Sequence, residues 1–279
     1  MPVLLPTSLS EATQMLSDTP GATLLAGGTD LMVEVNFNHR KPNDVIALRH
    51  VPELSQWSLN KVAGTVFIGS AVPYKHMESG ELAQLVPALA QAARTVGSPQ
   101  IRAAGSIGGN LGTCSPAGDS LPVLSALDAI VHLASVNTTR DVPVSDFMVG
   151  PKRNSREPKE IILGVTLPIR NGRQGYAKVG VRNAMVISVA SACFALQDGS
   201  PRIALGSVGP TVLRCPQAEQ FLTQNLAADG SVSDDIAKEF GRLVSQESKP
   251  IDDHRSTAVY RRHAVGVLAQ RLVQRGVQS

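Results

Sequence analysis

Apolar positions recur along this chain in two periods, and the changes of period mark its elements. Ser8 followed by Glu11 forms a capping-box pattern, which predicts a short helix through Ala12, Met15 and Leu16 that closes near Asp18 and Pro20. A brief apolar run, Ala22 to Ala26, stops at Gly27-Gly28 and predicts a buried strand feeding a tight turn. Apolar character resumes at Leu31 to Val35, and Asp44 to Leu48 predicts another short strand. From Trp57 to Gly69, β-branched and aromatic residues at Val62, Val66, Phe67 and Ile68 predict two strands around Ala63-Gly64, and with them a second unit. Leu82, Leu85, Leu89 and Ala93 fall at helical spacing and predict one helix over 82–96, with Gly97 as its C-terminal stop, leading straight into a second glycine-rich loop.

Beyond that loop the pattern predicts a helix at Ser120 to Ala126 and strands near 129–134, 140–144 and 161–167, with Pro168 closing the unit. Asn171-Gly172 reads as a turn, and the stretch to Gly175 as a linker. Strands near 176–181, 187–196 and 202–208 then give way to helices. The last helix places Tyr260, Ala264, Leu268 and Leu272 on one face and leaves Arg261, Arg262, Gln270 and Arg271 for water or a partner. Strands followed by helices, without regular alternation, predict an α+β protein.

Composition narrows the function classes. A chain of 279 residues is long for one core and suggests two or three compact units. A net charge of +3 without an extended basic stretch, and an aromatic content of 4%, argue against nucleic-acid binding. Cys114, Cys193 and Cys215 are far apart, with no Cys-x-x-Cys pair to hold zinc or an iron–sulfur cluster, and suit reduced, buried thiols. The six histidines have no metal spacing and read as structural. The start of the chain lacks signal-peptide character, and no apolar run approaches the ~18 residues of a membrane span, so a cytoplasmic protein is expected.

The candidate chemistry lies in two glycine segments. Leu25-Ala26-Gly27-Gly28-Thr29-Asp30 and Ser106-Ile107-Gly108-Gly109-Asn110 each combine bare backbone with hydroxyl or amide side chains, the composition of a pyrophosphate cradle. Either segment alone reads more readily as a plain turn, its Ser or Thr bonded locally, and only the two together bring the ligand reading level with it. Neither fits Gly-x-Gly-x-x-Gly, which disfavours a dinucleotide site of the Rossmann kind. Asp30 suits a cap for the segment that follows it, and Asp119 suits an N-cap for the helix at Ser120.

The run from Gly97 to Asn110, continuing through Cys114-Ser-Pro-Ala-Gly-Asp119 and Leu121-Pro122, resembles the signature of the flavin subunits of xanthine dehydrogenases and related molybdenum hydroxylases. Leu24 to Leu31, Glu160 to Leu163 and Lys178 to Met185 resemble further family segments in the same order. The resemblance implies a two-subdomain FAD-binding fold of the PCMH type over 1–170 (subdomains about 1–56 and 57–170). A C-terminal α+β domain of the CO dehydrogenase flavoprotein type would occupy 175–279. It implies non-covalent FAD with its pyrophosphate between the two glycine segments, Asp119 accepting from a sugar-chain hydroxyl, Ile162 over the isoalloxazine ring and Lys178 near the flavin. Val96 stands near the place where eukaryotic relatives carry an adenine-stacking aromatic residue. Gly-Gly-Thr-Asp in place of Gly-Gly-His-Ser sets the chain apart from the carbon monoxide dehydrogenase branch. The benzoyl-CoA reductase branch's cysteine-bearing insertion is missing.

The implied role is an electron outlet: electrons arrive from a [2Fe–2S] small subunit, substrate is oxidised on a molybdenum-cofactor large subunit, and NAD+ or another acceptor takes the electrons. No side chain need act as acid or base for such a transfer, and no catalytic residue or metal ligand is assigned. Two other readings remain at this point: a stand-alone FAD oxidase of a small organic substrate, and an assembly subunit without cofactor.

Overall fold

The computed structural model describes residues 2–275. The chain opens with β1 (Val3–Leu4), α1 (Leu9–Asp18), β2 (Thr23–Leu25), α2 (Leu31–Asn36) and β3 (Val45–Ala47). The three strands form a parallel sheet in the order β1-β3-β2. Ser8 caps α1 by accepting the Glu11 amide at 3.2 Å, while the Glu11 carboxylate takes the amide of Thr7 at 2.6 Å. Ala12, Leu16, Ile46 and Leu54 make a small core beneath it.

A second unit begins with the hairpin β4 (Trp57–Asn60) and β5 (Thr65–Gly69), turned at Gly64 with φ +61°. Six helices follow: α3 (Tyr74–Met77), α4 (Gly80–Leu85), α5 (Pro87–Thr95), α6 (Pro99–Ala104), α7 (Ile107–Thr113) and α8 (Ser120–Ala126). Then come β6 (Ile130–Ala134), β7 (Thr139–Pro143), α9 (Val144–Phe147), β8 (Met148–Gly150), β9 (Arg153–Asn154) and β10 (Ile161–Pro168). The last long strand returns to the middle of an antiparallel sheet ordered β4-β5-β10-β6-β7.

Three expectations fail here for local reasons. The single helix over 82–96 is two, because Pro87 has no amide to donate and pushes Val86 to φ −133°. Helix α6, N-capped by Ser98, separates that pair from the second glycine segment. The segment itself is no loop: Ser106 caps it, and Ile107 to Thr113 are helical despite three glycines. Gly97 does stop α5, at φ +46°.

The third unit is β11 (Gly172–Val179), β12 (Ala190–Gln197), β13 (Ser200–Gly206) and β14 (Leu213–Arg214), an antiparallel sheet in sequence order, followed by α10 (Pro216–Asn225), α11 (Asp234–Glu247) and α12 (Ala258–Arg275). The expected linker at 171–175 is instead the start of β11, where Gly172 takes φ +132° opposite Gln197. All eight residues of β12 are buried. Phe194 and Leu196 face the helices α10–α12, while Cys193 and Ala195 join the core built on α5 and α8. A strand covered on both faces has no reason to alternate.

The last helix buries Ala264, Leu268 and Leu272 as expected, and differs from expectation in its first turn. Tyr260 is 49% exposed, whereas Arg261 is 4% exposed and lies in the buried row with Ala264, Val265, Leu268 and Leu272. Among the described residues no helix is long and apolar enough to cross a membrane, and no cluster of three or more His, Cys, Asp or Glu is placed to hold a metal ion.

Candidate functional site

The two glycine segments meet along one cleft of about 730 Å³. The first turns out of β2, with Gly28 at φ +72°, and its chain continues into α2. Gly27 has a different reason to lack a side chain. A Cβ there would stand 1.8 Å from the Ala104 carbonyl oxygen at the end of α6. Gly108 is similar, since its Cβ would meet Ser70 at 2.4 Å, and its amide donates to the Ser70 carbonyl at 2.9 Å. These two glycines let backbone pack on backbone.

Gly109 and Gly112, by contrast, border the cleft with room to spare: the nearest atoms to an added Cβ are Ser106 Oγ at 3.5 Å and Ile162 Cδ1 at 4.0 Å, respectively. Gly27→Ala is therefore expected to cost at least about 1–3 kcal/mol, the range for overpacking. A lower thermal midpoint of the chain would report it. An unchanged midpoint would show that the two segments do not pack in this way.

Leu25 to Asp30, Ser106, Gly108, Gly109, Asn110, Asp119 and Ile162 all line the cleft. Ile107 does not: it is fully buried in the core under α7. The Ser106 hydroxyl accepts the Gly109 amide at 3.2 Å, the local capping bond, and keeps its own proton to donate. Asn110 Oδ1 accepts from Ser120 Oγ at 2.6 Å. Asp30 does not cap α2, because its carboxylate crosses to Thr113 Oγ1 at 3.2 Å. The Thr29 hydroxyl borders the cleft, and among the described residues the amides of Gly27, Gly28 and Thr29 donate to no acceptor.

Asp119 and Lys178 are brought together. Lys178 lies outside the cleft lining and behind Asp119, with Nζ donating to Asp119 Oδ2 at 2.7 Å, to Thr95 O at 2.8 Å and to Val186 O at 3.1 Å. Asp119 Oδ1 accepts from the Tyr176 hydroxyl at 2.8 Å. The pair is 9% and 8% exposed. Burial pushes the Asp119 carboxyl up, and the ammonium and the phenol pull it back. Burial first, then the neighbouring carboxylate, pushes the Tyr176 phenol well above its usual value, so it remains a donor. Asp119 makes no N-cap bond to α8.

Sequence reasoning missed the cationic rim. Arg40, Lys152 and Arg156 border the cleft, and Lys152 reaches across to Glu34 of α2 at 3.0 Å, holding that carboxyl below the usual range. In the sequence, Lys152 with Arg153 is merely a short basic group, and only the β8–β9 turn aims Lys152 at α2. Tyr176 was also missed, since a lone tyrosine in a strand carries no signal of its partner. Bare backbone at Gly109 and Gly112, unengaged amides and a cationic rim fit a bound pyrophosphate.

A flavoprotein with an α+β cofactor unit and a separate helical-capped sheet is the class this fold and cleft define. Residues 1–170 match the FAD binding domain in molybdopterin dehydrogenase, and residues 176–275 match the CO dehydrogenase flavoprotein C-terminal domain. The chain belongs to the family of FAD-binding subunits of molybdenum hydroxylases, and it is an oxidoreductase subunit.

Among its relatives is the nicotinate dehydrogenase FAD-subunit of Eubacterium barkeri, 35% identical over 232 residues, covering 78% of this chain and 77% of that one. The putative xanthine dehydrogenase FAD-binding subunit of Escherichia coli is 28% identical, over 98% of this chain and 94% of that one. In structure the chain is similar to quinoline 2-oxidoreductase from Pseudomonas putida 86, with a TM-score of 0.91 at 26% identity, over 100% of this chain and 97% of that one.

Proposed function

We propose that FAD lies non-covalently along this cleft, with its pyrophosphate between the first glycine turn and the start of α7. The observation that carries the reading is the convergence of both glycine segments, the unengaged amides of Gly27 to Thr29 and Asp119 on one cavity. Thr29, Ser106 and Asn110 supply polar contacts, and Asp119 accepts from a hydroxyl of the sugar chain. Ile162, opposite Gly112, limits access to the isoalloxazine ring. Lys178 acts from behind Asp119, holding its charge and orientation. We also propose that residues 1–56 and 57–170 form the first two units of the chain, and that the third, expected from 175, starts at Gly172 with β11.

Bound flavin supplies the conversion between single electrons and a hydride. The chain's part is to bind, orient and shield. In this reading electrons come from a [2Fe–2S] small subunit, the molybdenum-cofactor large subunit oxidises substrate, and NAD+ or another acceptor takes the electrons. The named relatives serve nicotinate and xanthine, and the structural neighbour serves quinoline, which supports a substrate pocket outside this subunit.

Recombinant chain is expected to be yellow and to release free FAD on denaturation. Mixed with its iron–sulfur and molybdenum partners, it should restore acceptor reduction, and alone it should oxidise no substrate. Turnover by the isolated chain would overturn the partner-dependent reading, and failure to take up FAD would overturn the cleft assignment.

A further inference from the structure

One buried cation outside the cleft lining is tied to two of the segments that border it. Arg261 sits in the first turn of α12, where Nη1 donates to Val189 O at 2.8 Å and Ser207 O at 2.9 Å, and Nη2 to Asp253 Oδ1 at 2.6 Å. Asp253 is itself held below the usual carboxylate range, despite burial, by the amides of Arg255 and Ser256 and by this guanidinium. A lysine would have to reach all three acceptors from a single nitrogen, whereas the guanidinium meets them from two nitrogens of one rigid plane.

Two of the acceptors, the carbonyls of Val189 and Ser207, lead back to the cleft. Val189 closes the base of the segment 180–189 through its amide to Val179 O at 2.8 Å. That segment carries Met185, Val186 and Ile187 along the cleft, and Val186 O is one of the three acceptors of Lys178. Ser207, in the left-handed region at φ +63°, donates its amide to Pro116 O at 2.8 Å. Pro116 belongs to the turn 115–118 that delivers Asp119. The two branches thus start at one guanidinium and end on the two members of the Asp119–Lys178 pair.

We infer that Arg261 is a positioning residue for the flavin site: it fixes the backbone on both sides of the Asp119–Lys178 pair from the far side of the third sheet. The inference rests on the assignment of FAD to this cleft. It acts through other residues, and Arg261 itself contacts no cofactor.

The test compares Arg261→Met and Arg261→Lys with the exposed neighbour Arg262→Met as control, in the full chain. FAD titration of the folded FAD-free proteins should show roughly tenfold weaker binding for Arg261→Met. Arg261→Lys should recover part of the loss, and Arg262→Met should match wild type. Amide exchange read by mass spectrometry on the FAD-free chain should speed up in 115–118 and 180–189 for both Arg261 variants.

A purely structural role would lower the thermal midpoint and leave affinity in the folded fraction and exchange in those two segments unchanged, and that result overturns the inference. If Arg261→Met does not fold, Arg261→Lys decides: affinity within twofold of wild type together with unchanged exchange rejects it. Wild-type chain that takes up no FAD would refute the cleft assignment instead, while the exchange measurement still reads the positioning role.

Discussion

A Gly109→Val variant is expected to be folded and colourless. Its new Cβ would find Ser106 Oγ at 3.5 Å and Ala26 Cβ at 3.9 Å, both ordinary contacts, so the protein accommodates it. Valine is also no worse than glycine within a helix, the difference being a few tenths of a kcal/mol in its favour. The side chain grows instead into the space between α7 and the first glycine turn, where the pyrophosphate is placed. Flavin absorbance should vanish while far-UV circular dichroism and the melting temperature of the FAD-free chain stay near wild type. Full flavin content in a folded variant would remove α7 from the site. The contrast with Gly27 matters: adjacent in the cleft lining, one glycine is needed by the fold and the other only by the ligand.

Asp119→Ala should have the largest effect on stability of any single change at the site. It leaves the Lys178 ammonium and the Tyr176 hydroxyl without their shared acceptor in a dry place. Breaking a buried ion pair on one side costs about 3–5 kcal/mol, because the remaining charge is uncompensated. Urea unfolding of the FAD-free chain would measure it. The double variant Asp119→Ala with Lys178→Met removes both charges and should recover much of the stability while FAD binding stays lost. Recovery of flavin content along with stability would mean that Asp119 is a structural residue and not a ligand of the cofactor.

The first unit was legible because its signals are local: a cap at Ser8, an apolar run into Gly27-Gly28, short connections. The β4–β5 hairpin and β10 were legible for the same reason. What was not legible depends on distant neighbours. Nothing in Ser106 to Asn110 announces a helix, because glycines are poor helix formers; the Ser106 cap and the packing of Gly108 on Ser70 decide it. Arg261 reads as a surface residue until Val189, Ser207 and Asp253 surround it. At the cleft, the residues picked by resemblance, except Ile107 and Lys178, do line one cavity, while the cationic rim needed the β8–β9 turn to bring Lys152 to α2.

Strand β12, closed in on both faces, carries a consequence for how this polypeptide can be divided. A fragment ending near residue 170 would present the alanine-rich flank of α5 and the side of α8 that rests on β12 and β13 to solvent, and a fragment starting there would bare one side of its sheet. Each piece alone is expected to aggregate through that bared apolar surface, which light scattering of the separate fragments would check. Exchanging C-terminal modules between relatives should succeed only when the small residues along that seam, Cys193, Ala195 and Ala204, are exchanged in register with the helices that rest on them.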